Sequence, residues 1–222
     1  MTTENNFVPH QSLTLSADES LKAISDFESL MDQRRSVRTF SSAPVDRAVI
    51  ESIIRIASSA PSGAHKQPWT FCAISNPEVQ TNIRKAAEKE EYENYHGRMS
   101  EEWLDDLQAF GTDWKKPFLE VAPWLIVIFK KAYDLSEDGT KTKNYYVNES
   151  VGIAAGFLIS AIHKAGLVTL THTPSPMNFL QKVLDRPENE RPFLLLPVGY
   201  AAEDATVPVL ERKGLDEMAV FY

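Results

Sequence analysis

The chain has 222 residues, 43% of them hydrophobic and 24% charged, with a formal net charge of -8. This is material for one globular domain with a sizeable core, and the acidic balance argues against nonspecific binding to nucleic acid or anionic lipid. A single cysteine, Cys72, excludes an internal disulfide, and no Cys/His spacing fits a metal site, so redox chemistry here would call for an organic cofactor.

Residues 1–15 are polar and irregular and read as a loose arm ahead of a domain over 16–222. The first residues carry no basic, apolar leader, and the expectation is a soluble, cytoplasmic protein without a membrane anchor. From 16 to 33, Leu21, Ile24, Phe27, Leu30 and Met31 recur at helical spacing. The segment RRSVR (34–38) follows, then a second helix over 44–60 with Val45, Ile50, Ile53, Ile54 and Ala57 on one side, stopped by Pro61-Ser62-Gly63. WTFCAIS (69–75) predicts a strand and 77–92 a charged helix. The polar, aromatic stretch after it is poor in aliphatic residues, and 88–118 reads as an excursion or lid. APWLIVIFKK (122–131) is a buried strand, its apolar run far short of the ~18 residues of a membrane span. Residues 148–165 form a helix apolar nearly all round, which places it in a core or in a subunit interface, with Gly152 and Gly156 permitting close approach. LVTLTHT (167–173) reads as a strand, Ser175-Pro176 as the start of a short helix, FLLLPVGYA (193–201) as the last strand, and 205–222 as an arm. Helices and strands mix without strict alternation, so the class is α+β, with helices on both sides of one central mixed sheet.

Two stretches invite a ligand. In RRSVR, Arg34, Arg35 and Arg38 flank Ser36 and Val37; a basic helix end is the plain account, but guanidinium forks beside a hydroxyl also suit a phosphate. No GxxxxGK[ST] or GxGxxG motif exists to bind a nucleotide by a phosphate loop. In APSGAHKQPW (60–69) the backbone around Gly63 is free to approach a ligand closely.

The order RRSVR, helix, APSGAHKQPW, strand, then THTP (171–174), LLLPVGY (194–200) and ERK (211–213) resembles the nitroreductase-like FMN flavoproteins. Within that superfamily the resemblance is to the iodotyrosine deiodinases, over about residues 26–220. It implies an FMN-dependent homodimer with exchanged arms and the cofactor at the subunit interface. Arg34, Ser36 and Arg212 would hold the phosphate, with Arg35 and Val37 alongside. Arg38 would face the ring as a fixed positive charge that tunes its potential. Ser62 would reach in from the partner subunit. In the THTP segment Thr171 and His172 would line the cofactor, His172 as a structural residue rather than an acid. The Thr173 hydroxyl would donate to the flavin N5 and favour one-electron steps.

The resemblance also changes the reading of Glu91, Tyr95 and Lys116. On their own they look like a surface ion pair and an exposed aromatic. In the deiodinases a Glu, a Tyr and a Lys at these spacings clamp the zwitterion of the amino acid, and the lid orders on the ligand. The backbone N–H of Ala64 would hold the phenolate oxygen. The implied activity is reductive removal of halide from 3-iodotyrosine and its bromo and chloro analogues, with NAD(P)H or a reductase partner as electron source. The alternatives are a broad NAD(P)H-dependent nitro or quinone reductase, and a flavin-binding halotyrosine sensor without turnover.

Overall fold

The structure, a computed structural model, describes residues 7–108 and 110–222. Of the arm predicted over 1–15, positions 1–6 lie outside the described residues, as does position 109 of the predicted excursion; residues 7–15 are exposed and carry no regular secondary structure. The chain divides into two compact units, one ending at Arg34 and the other running from Arg35 to Tyr222.

The first unit holds helix α1 (Ala17–Asp32). A capping box starts it: the Ser16 hydroxyl accepts from the Glu19 N–H at 3.3 Å, and the Glu19 carboxylate accepts from the Ser16 N–H at 2.8 Å. Its apolar residues Leu21, Ile24 and Phe27 remain exposed.

The second unit is built on a four-stranded sheet whose spatial order is β1 (Trp69–Ile74), β2 (Trp124–Lys131), β6 (Glu190–Gly199) and β5 (Val168–Thr169), all paired antiparallel. The parallel element that makes the sheet mixed is an isolated bridge between Ser36 and Thr169. Central strand β2 is apolar on both faces, and its side chains alternate between two cores. Ile126 and Ile128 face α2 (Arg47–Ser58) and α6 (Val147–Lys164), where Ile50, Ile53, Val151, Leu158 and Ile162 complete one cluster. Leu125, Val127 and Phe129 face the other way, toward Ile83 and Ala87 of α3 (Pro77–Glu93), Phe118 and Leu119 of α5 (Phe118–Val121) and Leu180 of α7 (Phe179–Val183).

Several elements differ from their sequence reading. Helix α6 is not buried all round: Val151, Ala154, Ala155, Leu158 and Ile162 turn inward, whereas Gly152, Ile153, Gly156 and Phe157 turn outward and stay exposed. The strand expected over 167–173 pairs regularly only at Val168–Thr169; beyond Leu170 the main chain returns to β6 through one bridge, His172 to Leu195. The helix expected at Ser175-Pro176 begins only at Phe179. The excursion is largely helical: a π turn at Asn94–Arg98 continues α3, and α4 spans Glu101–Gln108. A short hairpin, β3 (Tyr133–Leu135) with β4 (Lys141–Lys143), went unread because its strands are three residues each and mostly exposed. Short α8 (Leu215–Met218) lies within an otherwise irregular, exposed C-terminal stretch. Among the described residues no helix is long and apolar enough to cross a membrane, and no acidic, His or Cys cluster could hold a metal ion.

Candidate active site

The sheet edge explains how two remote segments meet. Val37 is buried at 7% exposure and its N–H donates to the Thr169 carbonyl at 3.2 Å, so Arg35 to Arg38 run beside β5. Thr169 is fixed in turn, its hydroxyl donating to the Pro197 carbonyl at 2.7 Å. One bridge further on, the His172 N–H donates to the Leu195 carbonyl at 2.8 Å, and the His172 carbonyl accepts a return bond from the Leu195 N–H at 3.1 Å. In this extended backbone side chains alternate, so buried His172 separates exposed Thr171 and Thr173.

A cavity of about 160 Å³ opens in front of this edge. Arg38, Thr171, His172 and Thr173 form one wall; Glu91, Asn94 and Tyr95 form another, and Lys116 and Thr112 close it. Residues 84, 88 and 91 recur along the turns of α3, which carries Glu91 inward beside Ala87. Glu91 is 8% and Lys116 4% exposed, and their charged groups stand 3.5 Å apart. Lys116 Nζ also donates to the Thr112 hydroxyl at 3.2 Å and to the Asp113 carbonyl, and it lies 5.6 Å from the centre of the Tyr95 ring. The Tyr95 hydroxyl donates to the Thr112 carbonyl at 3.3 Å. The lysine backbone is pinned as well: Glu88 accepts from the Lys116 N–H at 2.7 Å while paired with Arg84 at 2.8 Å. This is a buried, enclosed charge pair, not the surface pair that sequence spacing alone implied.

Burial sets the electrostatics. It raises the Glu91 carboxyl against the opposing charge of Lys116, and it lowers Lys116 against the opposing charge of Glu91. Tyr95 is raised, chiefly by burial. His172 is pushed down to about 3 by burial, with the positive charges of Lys116 and Arg38 adding to the effect. It is therefore neutral near pH 7, and its Nε2 is buried without a hydrogen-bond partner.

The other candidates stand elsewhere. Arg38 also lines a second cavity of about 340 Å³ with Thr39, Phe110 and Thr206 to Pro208. Arg35 donates to the Pro208 carbonyl, and Ser36 is exposed at the sheet edge. Arg212 lies in the exposed C-terminal segment, and Arg34 closes the first unit. Ser62 and Ala64 are not among the residues lining either cavity. They belong to a loop in which Ala64, His65 and Gln67 all hold positive φ, at 49°, 55° and 46°. Such conformations cost non-glycine residues about 1–2 kcal/mol each and concentrate at functional sites. The Ser62 hydroxyl braces the loop by accepting from the Gln67 N–H at 2.9 Å, and the Gly63 N–H donates to Ser150 at 3.3 Å. Sequence reasoning passed over Asn94 and Thr112; Asn94 could have been found from its position three residues after Glu91 on one helical face.

A strand edge carrying a basic segment, set against a polar cavity on an α+β sheet, is the frame of a known class. The chain belongs to the nitroreductase family, whose model matches residues 31–200. Within that family its similarity is to iodotyrosine deiodinases. It is 62% identical to the iodotyrosine deiodinase of Haliscomenobacter hydrossis over 97% of both chains. It is 45% identical to human iodotyrosine deiodinase 1 over 91% of this chain and 70% of that protein. Among solved structures, an iodotyrosine deiodinase bound to FMN and 3-iodo-L-tyrosine superimposes with a TM-score of 0.75 at 27% identity, covering 88% of this chain and 100% of that one.

Proposed function

We propose that this protein is an FMN-dependent oxidoreductase that removes halide from halotyrosines, working as a homodimer. The observation that carries the reading is the buried Glu91–Lys116 pair with Tyr95, enclosed in one cavity with Thr171 and Thr173. A buried ion pair is a poor source of stability but a suitable receptor for a zwitterion, whose ammonium can take Glu91 and whose carboxylate can take Lys116 and the Tyr95 hydroxyl.

The residues also fit FMN. The wall offers the guanidinium of Arg38 and the exposed hydroxyls of Thr171 and Thr173, polar groups of the kind a flavin edge engages. In this reading Ser36 and Arg212 hold the phosphate, with Arg35 nearby. Arg38, Val37, Thr171, His172 and Thr173 flank the ring, and Ser62 of the partner subunit completes the site. The cofactor, once reduced, supplies two electrons, so that halotyrosine, two electrons and one proton give tyrosine and halide. The clamp orients the ring, the closed site excludes water, and the Ala64 N–H, in the same loop as Ser62 and so from the same subunit, is offered to the phenolate oxygen. His172, neutral at physiological pH, does not act as a cationic acid. The homodimer is supported by the outward apolar face of α6 and by the exposed apolar residues of α1 and of the C-terminal stretch, among them Val209, Leu210 and Phe221. Electrons would come from NAD(P)H or a reductase partner, in the cytoplasm.

The test is anaerobic mixing of dithionite-reduced, FMN-loaded protein with 3-iodotyrosine. Iodide and tyrosine should form in equal amounts. Glu91→Gln should lower kcat/KM for the iodotyrosine about a hundredfold, the effect of unpairing a buried charge, while reduction of a nitroarene without a zwitterion stays within about twofold. Nitroarene reduction with no iodide release would give the site to the nitroreductase reading instead.

A further inference from the structure

Asn94 belongs to the Glu91 wall of the cavity and has no part in the reading above. It is 6% exposed and begins the π turn, its carbonyl accepting from the Met99 N–H at 3.0 Å. That turn lies within the segment that carries Glu91 and Tyr95, and single π turns inside helices recur at functional positions. The Asn94 amide has a different partner at each end. Its Oδ1 accepts from Arg98 at 3.4 Å, and Arg98 is itself held by Glu90 at 2.9 Å and by Glu93. This leaves Nδ2 facing the opposite wall, where it donates to the Ser175 carbonyl at 2.9 Å. Ser175 lies two residues beyond Thr173 in sequence and lines the same cavity.

We propose that Asn94 is a positioning residue that couples the clamp helix to the Thr171–Ser175 segment, so that seating a substrate on Glu91 and Tyr95 also places the Thr173 hydroxyl. The inference rests on the function proposed above. It accounts for a buried side-chain amide bonded across a cavity to main chain 81 residues away, where an apolar residue would fill a core more simply. Each wall is anchored on its own side, α3 by packing of Ile83 and Ala87, the edge segment by the His172–Leu195 bridge. The Asn94 bond is a direct polar tie between them.

The experiment uses FMN-loaded protein carrying Asn94→Asp, which keeps the shape and an acceptor for Arg98 but loses the donor at neutral pH, and Asn94→Ala as a variant without added charge. Hydrogen exchange is followed by mass spectrometry in peptides covering 91–98 and 171–175 without substrate, and 3-iodotyrosine binding is followed by flavin fluorescence. Both variants should exchange faster in both segments. They should also bind 3-iodotyrosine about tenfold more weakly, the effect of one lost hydrogen bond, with nitroarene reduction within about twofold of wild type. Unchanged exchange at 171–175, unchanged substrate affinity, or equal damage to nitroarene reduction would each overturn the coupling. If the wild-type protein releases no iodide, the functional reading fails on that observation, and the exchange at 171–175 still decides the role of Asn94.

Discussion

Glu91 and Lys116 are each buried against their own preference for water, and each is held charged mainly by the other. That balance predicts a bell-shaped affinity for a zwitterionic ligand. The ligand ammonium needs the carboxylate form, so binding weakens as pH falls through the raised Glu91 value, above the ordinary 4.5, by about tenfold per unit once below it. The ligand carboxylate needs the ammonium form of Lys116, so binding weakens again as pH rises through the lowered lysine value, below the ordinary 10.5. The groups around the pair are Tyr95, Asn94, Thr112, Asp113 and Arg38; the negative charge of Asp113 favours the lysine ammonium and the positive charge of Arg38 opposes it. Titrating the dissociation constant of 3-iodotyrosine from acid to alkaline pH should give both limbs, and Glu91→Gln should remove the acid one. At this scale the sequence was partly legible. Spacing puts Glu91 and Tyr95 on one helical face, and the family resemblance adds Lys116. Their burial could not be read, because Lys116 is brought in from 25 positions away by tertiary packing and its charge argues for a surface place.

The loop at 61–67 joins helix α2 to strand β1 through a backbone that only a supporting environment tolerates. Gly63 is its tightest point. A methyl group there would stand 2.9 Å from the Tyr146 ring and 3.0 Å from the Tyr145 carbonyl oxygen, and main chain cannot give way as a flexible side chain can. Gly63→Ala should therefore destabilise the protein by about 1–3 kcal/mol, the usual range for overpacking, measured by chemical denaturation. It should also displace the Ala64 N–H and reduce FMN retention on gel filtration. The Pro-Ser-Gly signal made this turn legible as a turn. The positive φ angles at Ala64, His65 and Gln67 were not legible, since none of the three is a residue type that demands them. The shortened strand at 168–169 has a similar origin. The β-branched run LVTLTHT carries strand propensity throughout, but propensity does not supply a partner, and beyond Thr169 only one bridge to β6 forms.

The second unit places two cores on opposite faces of one sheet. Apolar content and period made the central strand and most helices legible, and the class α+β with them. Helix α6 shows why its surroundings stayed open in the sequence: with apolar residues on every side, periodicity cannot say which neighbour belongs to the same chain. In the structure its inner residues pack on β2 and β6, while Ile153 at 42% and Phe157 at 40% exposure face outward beside two glycines with open space above them. Replacing Phe157 with lysine should convert the predicted dimer to monomer in sedimentation experiments, leave the far-ultraviolet circular dichroism unchanged and lower FMN retention at least tenfold, because a buried unpaired charge costs several kcal/mol.

The clamp is reached from the face covered by α3 and α5, and the outward residues of α6 belong to the face covered by α2 and α6. A combinatorial library confined to 91–116 could therefore vary which amino acid is accepted while every outward residue of α6 is inherited unchanged.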